Sequence, residues 1–414
     1  VDAASGNIVA RRADSFVRVG AFVGLCIFMR LPVVGVAPII DVIQRDLGFS
    51  SAAAGLLTSI PVLCFAAFTP VASAILARAG INAGVIMCLI AIIVGSGIRS
   101  VSATSAVLIG TVILGCALAI ANVAVPTLVA RDYRHRASMM TGLQTAGTNL
   151  GSMAVSALIA PTAALLGWQL GLFSWSAAAI FALALWLIAL TKPFRRSALS
   201  RVEPSTATSS VPRIDESGRG RLQRLFRSPL AVTLAVAFAC HNFAYYAVTA
   251  WLPVLLIDAQ GRSASTAGWY SSLFQALGVA GTFAVPVLTG WRRWPASRLL
   301  IVVASCWVLL PLGLLTVPAL SVVWIIAGGV AQGGTFTLIT VVIITRSVTM
   351  SESRRLTAFV QTIGYGTASV GPVLLGGIHD AAGNWVVPFL VVLAATIGVG
   401  AAGLYATKTR AEAR

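Results

Sequence analysis

The sequence predicts an all-α, polytopic membrane protein whose twelve transmembrane helices form two pseudo-symmetric six-helix bundles. Three observations carry this expectation. The 414 residues are 58% hydrophobic and 10% charged, with a mean hydropathy of +0.92, whereas about a quarter of a soluble chain is charged. Apolar stretches long enough to cross a bilayer, about 20 residues each, recur twelve times, six on either side of one polar segment. Residue patterns in the first six return in the second six at a nearly constant interval.

The stretches fall at 16–40, 51–77, 81–101, 104–129, 138–160, 168–190, 229–257, 266–290, 298–317, 321–345, 357–378 and 385–407. The fifteen residues before the first are polar and lack the apolar core of a cleaved signal peptide, so the first span is expected to serve as the signal. Between the sixth and seventh, residues 192–227 are rich in Ser, Thr, Pro and Arg and have no apolar periodicity. They read as a linker. The expected organisation is therefore residues 1–191 as one six-helix half, 192–227 as a cytoplasmic loop and 228–414 as the second half.

A net charge of +17 raises nucleic acid as a partner, but the basic residues come in short clusters between apolar stretches, with no basic surface interleaved with aromatics. Topology accounts for them instead. With the N-terminus cytoplasmic, 25 of the 29 Lys and Arg lie on cytoplasmic segments, so the positive-inside rule predicts a multi-pass cell-membrane protein with both termini in the cytoplasm. The six cysteines stand singly inside apolar stretches with no C-x-x-C pair. They read as core residues, neither disulfides nor a metal site, and no motif calls for a cofactor.

The internal repeat is specific. Gln144-Thr145-Ala146-Gly147 precedes Trp168 by the same 24 residues that separate Gln361-Thr362-Ile363-Gly364 from Trp385, an offset of 217. Ala54-Gly55 and Ser59 return as Ala267-Gly268 and Ser272 at 213, and Arg131 answers Arg346 at 215. Duplicated halves around a midplane site are the architecture of many secondary transporters.

Within the first span, Arg30 lies well inside an otherwise apolar run. It sits roughly 18 Å along the helix from Arg18, past the middle of a layer about 30 Å thick. A guanidinium there costs about 2.5 to 3.5 kcal/mol unless it faces a polar cavity or a partner. No Asp or Glu lies in a neighbouring span, which points to a water-filled cavity and an anionic or strongly polar ligand; a bond to backbone carbonyls of broken helices is the alternative. An offset of 215 carries Pro38 to Pro253 and Arg30 to Tyr245. Tyr245 is therefore expected at the depth of Arg30, across the pseudo-symmetry axis.

The chain resembles the major facilitator superfamily and, within it, the cyanate permease and 2-nitroimidazole transporter (CynX/NimT) family. The residues that carry the resemblance are Gln361, Gly364, Tyr365, Gly371, Pro372, Gly376, His379, Asp380, Gly383 and Trp385, Arg30 with Pro38, Trp251-Leu252-Pro253, Gln275, and Gln332-Gly333-Gly334 with Phe336. The chain departs from the pattern at Ala37, where a hydroxyl is common, and at His241, where relatives often carry Gln. It also lacks the Asp of the loop signature near Arg78-Ala79-Gly80.

In that family's fold the first, fourth, seventh and tenth helices line the cavity. The resemblance thus implies a substrate site drawn from Arg30, Asn122, His241, Asn242, Tyr245, Tyr246, Gln332 and Tyr365. For Asn122 and Gln332 an interhelical hydrogen bond is the competing role. Gln144 and Gln361, symmetric and nearer the cytoplasmic ends, are expected to bridge the halves at a gate. Arg99, at the end of the third span, is expected to snorkel to the surface, and His379 and Asp380 to stabilise an outer turn. His241, the one ionisable group besides arginine deep in the membrane, is the candidate for proton coupling.

These features favour a secondary transporter of a small anionic or polar solute, cyanate-like, working by alternating access as a monomer with protons or a counter-anion as partner. Export of neutral nitroheteroaromatic compounds is the alternative, and a non-transporting receptor a third. An enzyme is not expected, since the spans hold no carboxylates and the three histidines are scattered. A built-in ATPase is excluded by the absence of a G-x-x-x-x-G-K-[ST] loop.

Overall fold

Glycine, proline and hydroxyl caps divide the apolar sequence into helices. Ser50 and Ser228 open the second and seventh spans by accepting from the N–H of Ala53 and Ala231, at 3.2 and 3.4 Å, each satisfying one orphan donor of a helix start. Gly48 and Gly261, with φ of +66° and +63°, close the turns after the first and seventh spans, a backbone region L-residues rarely adopt. The computed structural model describes residues 17–133, 137–191, 228–290, 292, 294–347 and 350–408. The expected linker, 192–227, lies outside the described residues.

No strand occurs among the described residues. Among the described residues, nine helices are long and apolar enough to cross a membrane, and a tenth crossing is made by Ser51–Ala67 and Thr69–Ala79, bent by 60°. The stretch Gly142–Thr191 counts once among the nine but is two spans, because Gly167 has φ +78° and breaks it. Met350–Ala368 and Gly371–Ala382 make a further crossing in two pieces. Twelve passes result, as the apolar stretches predict. Large apolar side chains such as Leu165 and Phe181, 83% and 74% exposed, cover the outside, a surface suited to lipid and costly in water.

Two spans differ from the expected continuous helices. The first, Val17–Leu47, is helical over 17–28, turns at Met29 and Arg30, makes one helical turn at Leu31–Val34, turns again, and resumes through a 3₁₀ turn at Ala37–Ile39. Pro32 and Pro38 lack the N–H that would join these pieces. The second span bends at Phe68, just before Thr69-Pro70, where the same missing donor applies.

The duplication is visible in the packing. Trp168 Nε1 donates to Asp46 Oδ2 at 2.8 Å, and Trp385 Nε1 to Asp258 Oδ2 at 3.2 Å, so each half ties the end of its first helix to the turn between its fifth and sixth. Gly147 lies against Cys26 and Val23 of the first span, and Gly364 against Phe238 of the seventh. Small residues let the backbones approach this closely.

The halves meet at the end remote from the termini, the distal end. Asp380 of the eleventh span accepts from the N–H groups of Ser51 and Ala52 at 3.1 and 3.0 Å. A Cβ on Gly55 would lie 2.6 Å from Pro372 O, one on Gly376 2.4 Å from Ser51 O, and one on Gly268 2.5 Å from Ser156 O. Beyond its bend the second span packs on the third and fourth and leaves the eleventh. His379 and Asp380 therefore do more than stabilise an outer turn, contrary to expectation: Asp380 caps a helix of the opposite half. The reason is that the distal start of the second span presents free N–H groups to it.

Candidate functional site

Arg30 and Tyr245 form the centre of the site. The turn at Met29–Arg30 ends the first helix, and Arg30 O accepts from the N–H of both Val33 and Val34 at 3.0 Å, so the backbone bearing the guanidinium is held in place. Arg30 Nη1 donates to Tyr245 Oη at 3.1 Å, with the guanidinium carbon 5.2 Å from the ring centroid. Tyr245 donates onward to Gln275 Oε1 at 3.1 Å, and Gln275 Nε2 donates to Thr249 Oγ1 at 3.5 Å. The relay spans the first, seventh and eighth spans and joins the two halves.

The rest of the Arg30 guanidinium is available. Arg30 is half-buried; among the described residues its guanidinium bonds Tyr245 alone, and Nε and Nη2 keep some exposure. They lie beside Tyr245 of the opposite half. Tyr246 and Tyr365 lie in the neighbourhood of Arg30. Rings frame this space: Tyr245 meets Tyr246 edge-on at 5.0 Å and stacks on Phe274 at 6.3 Å, while Tyr365 meets Phe65 and Phe238 edge-on at 6.0 Å each. A guanidinium with a free edge, ringed by hydroxyls and aromatic faces and facing no carboxylate among the described residues, can hold a flat anion or a polar aromatic group.

The other predicted residues are distributed unevenly. Asn122 is exposed on the face of the fourth span that carries Gly115, seven residues earlier, and Gly115 packs on Cys64 and Pro61 of the second span. His241 is 2% exposed, and its Nδ1 accepts from Trp307 Nε1 at 3.1 Å, a bond to the ninth span. Asn242 donates to Phe238 O at 2.9 Å, one turn back on its own helix. Gln332 packs on Gly278 of the eighth span, where a Cβ would lie 1.8 Å from its Nε2. No hydrogen bond joins Gln144 to Gln361 among the described residues; both are half-buried.

Two residues depart from what the sequence signalled. Gln275 is part of the relay, although the eighth span is not among the helices expected to line the cavity; a lone amide in an apolar span was its available signal. Arg99 does not snorkel. It is 2% exposed, and Nη1 donates to Pro32 O at 2.8 Å. The carbonyl-bound fate weighed for Arg30 belongs to Arg99, because the break in the first span frees a carbonyl beside it. Distal to the relay, Pro38, Ser156, Thr249, Ser271 and Gln275 line a seam too tight to admit a water molecule. The hydroxyls of Ser156 and Ser271, one from each half, are sealed there without partners.

At the distal latch, burial alone would raise the Asp380 carboxyl, but hydrogen bonds from Ser51 and Ala52 and the neighbouring His379 outweigh it and hold Asp380 below the ordinary carboxylate range. His379 Nδ1 lies 3.5 Å from Ser51 Oγ, and its ring stacks on Trp385 at 4.0 Å.

Comparison with known proteins places this geometry. A family model described as Major Facilitator Superfamily matches residues 20–347. The chain is 28% identical over 383 residues to the 2-nitroimidazole transporter of Escherichia coli (strain K12), covering 92% of this chain and 93% of that protein. It is 26% identical over 377 residues to the cyanate transport protein CynX of the same organism, covering 90% and 92%. Among solved structures, the nucleoside transporter NupG superposes with a TM-score of 0.71 at 13% identity, covering 96% of this chain and 99% of that one.

Proposed function

The chain belongs to the Major Facilitator Superfamily, and from that premise we propose that it is a secondary active transporter of a small anionic or polar solute, cyanate-like, working by alternating access. The observation that supports this reading is the open edge of the Arg30 guanidinium, oriented by Tyr245 of the opposite half. A ligand at that edge touches both halves at once, so its binding is sensitive to how they rock. With the termini cytoplasmic, as the basic residues argue, the closed distal end faces outward. Gln144 and Gln361 then meet when the inner end closes.

The aromatic frame supports a second reading. Tyr245, Tyr246, Tyr365, Phe65 and Phe238 offer faces and edges to a flat ring, and Arg30 can donate to the oxygens of a nitro group as well as to an anion. Export of a neutral nitroheteroaromatic is therefore the alternative, in line with the 2-nitroimidazole transporter among the relatives.

Thermal stabilisation of the purified protein by cyanate and other small anions, and by neutral nitroimidazoles, compared between wild type and Arg30→Gln, separates these readings. Anion stabilisation that disappears in the variant supports the first. Stabilisation by neutral aromatics alone, unchanged by the substitution, sinks it and favours the second. Uptake into proteoliposomes then tests transport itself.

A further inference from the structure

We propose that Arg99 is a positioning residue for the ligand site: it holds Arg30 in place by carrying the carbonyl that the break in the first span sets free. The proposal rests on the reading of Arg30 as the group that meets the ligand.

The break leaves a single helical turn, Leu31–Val34, between two bends. A turn of four residues is not stable by itself, because helix nucleation is unfavourable until further turns are added. Inside this turn, Gly35 N–H donates to Leu31 O at 3.0 Å. The next N–H, that of Val36, does not complete the pattern onto Pro32 O, and the residue that could donate to Val34 O is Pro38, which has no N–H. Pro32 O is thus an orphan acceptor in the interior, the kind of group that costs stability unless something donates to it. Arg99 Nη1 does so at 2.8 Å.

Arg99 is itself rigidly mounted. It ends the third span, and Gly110 of the fourth comes so close that a Cβ there would lie 2.5 Å from Arg99 N and 2.8 Å from its Cα. The same contact brackets Gly95, whose Cβ would meet Gly110 O at 3.1 Å. The bond from Arg99 therefore fastens the isolated turn of the first span to a tightly packed pair of helices.

Its location is unfavourable for a charge. Arg99 faces no carboxylate among the described residues, and its Nε and Nη2 are sealed without partners. Arg30 is the opposite case, half-buried with the same two atoms open. One arginine is turned to Tyr245 of the opposite half and the other to the backbone two residues beyond it. A buried charge making one of its five possible bonds would be replaced by an apolar residue at little cost if packing were its only role. Carrying Pro32 O, and through it the orientation of Arg30, accounts for its presence.

The test is a double-mutant cycle on the full-length protein purified in detergent, reading dissociation constants for cyanate and 2-nitroimidazole, with hydrogen exchange of the backbone amides. The variants are Arg99→Met, similar in length but without a donor, Arg99→Lys, which can still reach a carbonyl, and Arg30→Gln. Arg99→Met is expected to weaken ligand binding about tenfold in the wild-type background and not at all in the Arg30→Gln background, the non-additivity of a residue acting through another. Arg99→Lys should recover most of the loss, and in Arg99→Met the amides of residues 31–39 should exchange faster while those of the third span do not.

Equal losses in both backgrounds would show a merely structural role and overturn the proposal, as would unchanged affinity in a folded Arg99→Met protein. If Arg99→Met does not fold, Arg99→Lys and Arg99→Gln carry the same cycle. If Arg30→Gln binds both probes like wild type, the reading of Arg30 fails separately; exchange at residues 31–39 then decides the clamp, and unchanged exchange overturns it.

Discussion

Arg30 and Tyr245 are 215 residues apart, and Arg30 Nη1 donates to Tyr245 Oη. The same interval carries Pro38 onto Pro253. By that interval the two residues are counterparts in the sequence repeat, and their contact crosses from one half to the other. At this point the duplication is chemically broken: one half supplies a cation and the other a hydroxyl that orients it. A site with a directional charge at the centre of a symmetric fold follows from that substitution.

Tyr245→Phe removes the hydroxyl between Arg30 and Gln275 and keeps the ring. The relay loses two hydrogen bonds, and the freed Gln275 Oε1 is left buried, so stability should fall by about 1 to 3 kcal/mol. Affinity for an Arg30-dependent ligand should fall with it, because the guanidinium gains rotational freedom. Thermal melts and titration calorimetry on the variant measure both. Unchanged affinity would mean that Arg30 is held by the backbone alone.

Gly333→Ala should damage the second half severely. Its Cβ would come 1.8 Å from Gly278 O, a backbone atom of the eighth span that cannot swing aside. Overpacking of this kind costs about 1 to 3 kcal/mol or more. Gly278→Ala meets the end of the Gln332 side chain instead, which can rotate, so it should be the milder of the two. Comparing their melting temperatures in one detergent checks the order.

Asp380→Asn should open the distal end. The carboxylate caps Ser51 and Ala52 across the halves, and its proton affinity is depressed while it does so. A depressed carboxyl contributes stability that is present above its free-state pKa, about 3.9, and is lost as pH falls through the lower folded value. The wild type should therefore open distally on acidification, and the Asn variant should be open more often at neutral pH and lose that dependence, the two converging at low pH. Distances between spin labels at Arg45 and Arg262, exposed at distal ends of opposite halves, would register it; identical distributions for the two proteins would discard the latch.

His241→Gln tests proton coupling. If His241 exchanges the coupling proton, transport in proteoliposomes should lose its dependence on a pH gradient while ligand binding persists. Retention of the gradient dependence would leave His241 as a partner for Trp307 and no more.

Hydropathy and charge determined, without coordinates, that the chain crosses the membrane twelve times in two related sets of six. They also marked Arg30 as too costly to be idle, and the repeat named Tyr245 as its counterpart. Such features are legible because lipid admits few polar groups, so each exception stands out along the sequence. What tertiary structure alone decided is which neighbour each exception meets. Arg99, expected to snorkel from the end of the third span, instead turns inward to Pro32 O, because Pro32 and Pro38 break the first span beside it and leave a carbonyl without a donor. Asn242 satisfies itself on its own helix, while Gln275, on a helix outside the expected lining, completes the relay. Asp380 finds its partners 329 and 328 residues away, at Ser51 and Ala52. Helix faces, breaks and the approach of the two halves set these pairings, and no one-dimensional pattern encodes the rotation of one helix against another.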